Sequence, residues 1–262
     1  MTVIFKGYCW MMGCIFMKRF RPQTFTDTEL SKDEFRDSLR IRSGLPILDL
    51  PKKCDGCNKP FTVEHAQQCK NGGLVIQRHD DLKAEFMSLC TQAFGPKSVC
   101  NEPTIHTFGN SNNSTQVQEL RGDVSAYGFW NERRTTIFDV RVTDTDAPSY
   151  RNPDPIKVLA SQEREKRSMY GPPCHERRRD FTPLVFSIDG MMGQQAISAS
   201  RQLARKLQRK WNKPYSEICG FIRARMSLSL VRSVSMLLRN PREGMPKRNP
   251  PHWETGSGLA LY

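Results

Sequence analysis

The chain is short of acidic residues, of apolar residues and of any long hydrophobic run. Only 27 Asp and Glu stand against 40 Lys and Arg, a net charge of +13 with an isoelectric point near 9.5. That imbalance favours a polyanionic partner, since each phosphate contact releases counterions and adds sequence-independent affinity. An anionic lipid surface offers the same attraction. The hydrophobic fraction is 37%, which with aromatics throughout predicts a folded centre and solvated ends. The longest apolar run, Gly7 to Met17, is too short to span a bilayer. Its basic pair, Lys18-Arg19, follows the run rather than preceding it, the wrong order for a secretory signal. No internal repeat is visible.

Nine cysteines are an odd number for a fully paired disulfide framework, and three of them gather around a histidine. Cys54-x2-Cys57-x7-His65-x3-Cys69 has the spacing of a structural zinc site. A CxxC pair on the Asp55-Gly56 turn presents two thiolates to one ion, and His65 and Cys69 share a face of one helical turn. Four protein ligands would close the site to substrate. A reducing compartment follows from this use of cysteine.

The chemistry is expected in LRGDVSAYGFWNERRTTIFDVRV, from Leu120 to Val142. Asp123 opens one short extended segment. In the second, Thr135 to Val142, Phe138, Val140 and Val142 alternate with Ile137, Asp139 and Arg141, a period of two that puts Asp139 and Arg141 on one face. Gly128 and Asn131 mark a hairpin loop between them. Antiparallel pairing would bring Asp123 and Asp139 together at one end of the sheet, where a hard divalent cation finds oxygen ligands. Acidic residues at strand ends also serve as caps or as solvated groups, so the pair alone does not define a metal site.

Elsewhere, a helix start is read at Thr26-Asp27-Thr28-Glu29, with a break at Gly44-Leu45-Pro46. Leu82, Phe86, Leu89 and Phe94 form a helical stripe over 74–94, with Arg78, His79, Asp80, Asp81 and Glu85 read mostly as its solvated side. Residues 95–119 are loop-rich, with the polar tract 109–115. Ile156 to Tyr170 reads as a helix ended by Gly171-Pro172-Pro173, and TPLVFSI (182–188) as a buried strand. Two helices follow, about 196–211 and 215–238. The first carries Arg201, Arg205, Lys206, Arg209 and Lys210 without acidic counterparts, and the second adds Arg223, Arg225 and Arg232. One-sided helical charge of this kind fits a phosphate-tracking surface, although a merely soluble face fits nearly as well. A tail rich in Pro, Arg and Lys from Asn240 is expected to be disordered.

In this order the elements resemble the restriction-like endonuclease region at the C-terminal end of site-specific non-LTR retrotransposon proteins. The resemblance rests on the Cys54, Cys57, His65 and Cys69 motif, then Arg78-His79-Asp80, Glu102-Pro103, Gly122-Asp123, Asp139-Val140-Arg141-Val142, and Arg164-Glu165-Lys166 with Tyr170, over about residues 54–190. Gly122 stands where the family has Pro, Asp80 where it commonly has Asn, and Arg141 where related nucleases carry the catalytic Lys.

The resemblance implies an α/β fold: a restriction-endonuclease-like core, a small mixed sheet flanked by helices, with an N-terminal zinc-knuckle-like unit and C-terminal basic helices. The expected division is 1–50, a remnant of an upstream junction; 51–73, the zinc unit; 74–192, the nuclease core; 193–240, a basic helical extension; and 241–262, the tail. It also implies a Mg²⁺- or Mn²⁺-dependent DNA endonuclease that nicks its target. Asp123 and Asp139 would hold the cation, and Lys166 would assist, with Lys157 as its competitor. Glu85, or failing it Glu102, would be a third acid. Arg141, Arg205, Lys206, Arg209 and Lys210 would contact DNA, and Zn²⁺ would be structural. No Tyr-x-Asp-Asp polymerase motif is present, so the chain is expected to be the endonuclease part of a retroelement, either a fragment or a stand-alone descendant, with a reverse transcriptase supplied by another chain as a further expected partner. DNA and retroelement RNA are the expected partners, the nucleus the expected location, and no membrane is involved. The rival expectations are a zinc-dependent nucleic-acid-binding remnant without cleavage and a zinc-dependent protein-interaction module.

Overall fold

A computed structural model describes residues 29–108, 118–150 and 153–243. The apolar run 7–17, the polar tract 109–115 and most of the tail lie outside them. Among the described residues no helix is long and apolar enough to cross a membrane.

Among the described residues are six α-helices and six strands. They are α1 (Lys32–Arg42), α2 (Val63–Gln68), α3 (Leu74–Phe94), β1 (Val99–Asn101), β2 (Thr104–Phe108), β3 (Gln118–Arg121), β4 (Val124–Tyr127), β5 (Thr135–Thr143), α4 (Pro155–Glu176), β6 (Asp180–Ser187), α5 (Gln194–Trp211) and α6 (Tyr215–Arg239). One mixed sheet has the order β1-β4-β5-β6, antiparallel except for the β5/β6 pair, and β2 and β3 form a separate hairpin. The parallel pair is joined through α4, the crossover that parallel strands require.

The alternation along β5 sorts the two sides of the sheet. Phe138 and Val140 enter one large core with Leu82, Phe86 and Leu89 of α3, Leu203 and Leu207 of α5, and Ile218 and Ile222 of α6. Ile137 points the other way, into a smaller cluster with Ile105, Tyr170 and Cys174. The main core therefore runs without interruption from residues of the expected nuclease core into the two C-terminal helices. A third cluster joins Cys54, Phe61, Ala66 and Cys69 to Leu230, Val234 and Leu238 of α6.

The expected helix start at Thr26-Asp27-Thr28 lies outside the described residues; within them α1 begins at Lys32, capped by a reciprocal Ser31/Glu34 box, itself a capping signature. One boundary differs from expectation. Helix α4 continues through Pro172 and Pro173 to Glu176. Fully buried Cys174, held in the Ile105–Ile137–Tyr170 cluster, anchors a turn that proline alone would discourage; tertiary packing overrides local propensity here.

Candidate metal centre and acidic cluster

The zinc unit is built from a turn and one short helix. Cys54 N–H donates to Lys59 O, Asn58 N–H to Cys54 O, and a bridge pairs Lys53 with Pro60. Thr62 caps α2 by accepting from His65 N–H at 3.1 Å, and Cys69 sits at its C-cap. Cys54 Sγ is 3.8 Å from Cys69 Sγ, Cys69 Sγ is 4.0 Å from Cys57 Sγ, and Cys57 Sγ is 3.3 Å from His65 Nε2. All four donor atoms lie within 4.8 Å of one another. A tetrahedral ion with about 2.3 Å metal–sulfur bonds separates its sulfurs by about 3.8 Å, so the donor set fits Zn²⁺. Burial raises a thiol, but at Cys54 hydrogen bonds from His65 and from the backbone N–H groups of Cys57 and Gly56 bring it down to about 6. Burial and the neighbouring Cys54 push Cys69 up to about 11. One thiol of the set is thus poised as a thiolate before any ion arrives.

The end of α6 closes over this unit. Asp55 Oδ2 accepts from the backbone N–H groups of Arg242 and Glu243. The Arg242 guanidinium donates to Ala66 O and Leu237 O and lies 4.9 Å from the centre of the Phe61 ring. Gly56 is required for this closure, since a Cβ there would come within 2.9 Å of both Arg242 Cβ and Asn71 Cβ.

Sheet, α3 and α4 meet at a second polar centre. Asp123 precedes β4; its N–H donates to Phe138 O, and its Oδ2 accepts from Val140 N–H at 2.6 Å and lies 3.0 Å from His79 Nε2. Asp139, on the β5 face that looks toward α4, has its Oδ2 2.8 Å from Lys166 Nζ. Asp123 is 0% and Asp139 1% exposed. Lys166 Nζ is also 5.4 Å from the centre of the Tyr170 ring. Asp123 Oδ1 is buried without a hydrogen-bond partner, while the buried Asp139 carboxylate is met by the Lys166 ammonium and the Tyr170 hydroxyl.

The protonation directions follow from these neighbours. Burial raises Asp139, reinforced by Asp123 and opposed by Lys166. Burial would raise Asp123 too, but His79 and the Val140 N–H hold it below the usual carboxylate range. Burial disfavours the His79 cation, yet Asp123 and Asp80 together raise it to about 9.

The other anticipated residues are distributed around this centre. Arg141 shares the Asp139 face and pairs with Glu165 at 3.0 Å. Lys157 is exposed on the first turn of α4, nine residues before Lys166 and so about half a turn out of phase with it. Glu85 is not part of the centre: its carboxylate pairs with Arg225 of α6, because six residues along α3 rotate it about 120° away from His79. Glu102 is held by Lys83 at 2.9 Å, and its backbone N–H donates to Asp123 O. Among the described residues, the Cys54/Cys57/His65/Cys69 set is the one group of three or more metal-type ligands that converges. Asp123 and Asp139 gain no third acidic or imidazole ligand at that spacing.

The sequence assigns His79, though part of the Arg78-His79-Asp80 motif, no role in the site. Together with Arg78 and Lys83 it is buried rather than solvated, and Arg78 donates to Gln67 Oε1 at 2.6 Å. Gly122, where the resembling family has Pro, is close-packed: a Cβ would lie 2.3 Å from Ile137 Cγ2.

On α5, Arg201, Arg205 and Arg209 form an exposed row at four-residue spacing. Lys206 Nζ lies 5.7 Å from the Phe94 ring centre, and Lys210 donates to Gln92 O. On α6, Arg225 is engaged by Glu85, Arg232 donates to Glu29 O, and Arg239 grips Asp37 through two bonds of 2.7 Å. Much of that helix's charge is therefore used inside the fold.

Fold and site define a mixed α/β protein with a Cys₃His metal-binding cluster near its N-terminal side and basic residues on its C-terminal helices. No protein-family model matches the chain, and no curated protein matches it.

Proposed function

We propose that this chain is a zinc-dependent nucleic-acid-binding protein, derived from the endonuclease region of a retroelement. The Cys54/Cys57/His65/Cys69 cluster carries the reading. Its donor spacing fits Zn²⁺, and the unit is fastened to α6, which packs beside the arginine row of α5. In this reading zinc organises the unit that holds the nucleic acid, and the exposed arginines track phosphates. Contacts of that kind position a partner without reading its sequence. DNA is the principal partner, with retroelement RNA and a separately supplied reverse transcriptase as further ones, in the nucleus. Binding to a DNA oligonucleotide that survives in the zinc-loaded protein and is lost after chelation supports this assignment; affinity indifferent to chelator and to salt points instead to a protein-interaction module.

A second reading, metal-dependent DNA nicking, is favoured by the meeting of Asp123, Asp139 and Lys166 in a buried centre where Asp123 Oδ1 has no hydrogen-bond partner. A bound Mg²⁺ or Mn²⁺ would polarise the scissile phosphate and lower the pKa of a water. The chain's own contribution is positional. His79 and the Val140 N–H fix the Asp123 carboxylate. Lys166 supplies positive charge where the attacked phosphate becomes more negative, and Arg141 contacts a neighbouring phosphate. Nicking of supercoiled plasmid by the full chain, abolished by EDTA and by Asp139→Asn with binding retained, establishes this activity. Equal nicking by Asp139→Asn removes the site.

A further inference from the structure

The tip of the β4–β5 hairpin has no part in the acidic centre or the zinc unit, yet it displays two large aromatic side chains. Tyr127 is 51% and Trp130 39% exposed. They flank Phe129, which is fully buried and packs on Phe94, Phe138 and Trp130. Phe129 nails the turn to the core, and its neighbours in sequence are left outside. The turn itself is firmly made: Gly128 takes a φ of +78°, its N–H donates to Arg134 O, and Asn131 accepts from Arg133 N–H. Trp130 Nε1 donates to Thr182 Oγ1 at 2.9 Å, so the indole is oriented before anything binds.

This tip adjoins the basic helix. Gln202 Nε2 of α5 donates to Phe129 O at 2.7 Å, and Lys206 lies over the Phe94 ring that packs on Phe129. Arg205 and Arg209, three and seven residues beyond Gln202, are on the outward positions next to that flank. Arg133 is exposed on the tip; Arg134 pairs with Asp180, and Glu132 is the one acid of the loop. The pre-oriented Trp130 ring beside a one-signed basic row matches a strand whose bases are free to stack and whose phosphates run alongside, whereas Tyr127, opposite Thr135 in the ladder, lies on the Ile137 face of the sheet, away from α5. Base–aromatic stacking needs unpaired bases, whereas arginines alone serve duplex and single strand alike.

We propose that the β4–β5 tip and the adjoining flank of α5 form a platform for unpaired nucleotides, with Trp130 stacking on a base and Arg133, Arg205 and Arg209 meeting the phosphates. The inference rests on the nucleic-acid-binding reading above and specifies a single-stranded or locally opened substrate.

The test is the affinity of the zinc-loaded full chain for labelled oligo-dT and for a duplex of equal length, measured for the wild type, Tyr127→Ala, Trp130→Ala and Trp130→Phe. Thermal midpoints confirm that each variant folds. Trp130→Ala is expected to lose roughly ten-fold in single-strand affinity and less than about two-fold for duplex, with Trp130→Phe recovering most of the single-strand loss and Tyr127→Ala, on the opposite face, changing either affinity less than about two-fold. Equal losses on both substrates for Trp130→Ala, or no loss on either, overturn the platform while leaving duplex binding by the rest of the chain intact. A wild type that binds neither nucleic acid overturns the parent reading as well.

Discussion

His79 Nε2 lies 3.0 Å from Asp123 Oδ2, tying helix α3 to the start of β4 across forty-four residues of sequence. Both groups are buried, so the link is an ion pair in a low-dielectric setting, where an opposite charge shifts both partners in the same stabilising sense.

The pH dependence of stability follows from its sign. An unfolded histidine titrates near 6.5 and the folded one near 9. The contribution is therefore complete below about pH 6.5 and is lost as pH rises through about 9. Asp123 is shifted down, so its share persists above the ordinary aspartate range and fades as pH falls through the depressed folded value. His79→Gln should be destabilising near pH 6, by at most about 3 kcal/mol. The gap in thermal midpoint between variant and wild type should close toward about pH 10. A gap constant across that range contradicts the ion pair.

Lys166 and Lys157 separate by consequence as well as by place. Lys166→Met leaves Asp139 buried beside Asp123 with its ion-pair partner gone, a change that costs about 3 kcal/mol in comparable buried pairs. Lys157→Met alters an exposed first-turn position and should stay within about 0.5 kcal/mol of wild type. Urea denaturation of the two variants checks the difference; equal stabilities would place Lys166 outside the buried pair.

Closure of α6 over the zinc unit predicts that stability and metal affinity move together. Arg242→Ala removes the cover on Phe61 and two bonds to carbonyl oxygens, a loss of about 2 kcal/mol. Gly56→Ala forces the same groups apart. Both variants should release zinc to a competing chelator faster than wild type, and amide exchange in α2 should accelerate. Unchanged zinc release would mean that the closure is decorative.

How much of this was legible in the sequence depended on the distance over which each signal acts. The four zinc ligands lie within sixteen residues, so spacing alone brought them together. The alternation of Phe138, Asp139, Val140 and Arg141 revealed which side of β5 each would take, since strand periodicity is local. Glu85 and His79 were misjudged because the face an α3 residue presents to the sheet is set by how the whole helix docks. The same limit applies to α4, whose passage through Pro172-Pro173 depends on Cys174 being buried against Ile105 and Ile137. It applies again to Arg225 and Arg232, which read as surface charge until Glu85 and the Glu29 carbonyl are seen beside them.

The central claim is that zinc organises a phosphate-binding surface, and the most direct measurement is the affinity of the full chain for a DNA oligonucleotide across a salt series, with and without zinc. The account predicts a steep linear fall of log affinity with log salt, corresponding to several neutralised phosphates. It also predicts collapse of that affinity when a chelator empties the Cys54/Cys57/His65/Cys69 cluster. Weak, salt-insensitive binding that survives zinc removal unchanged would contradict it.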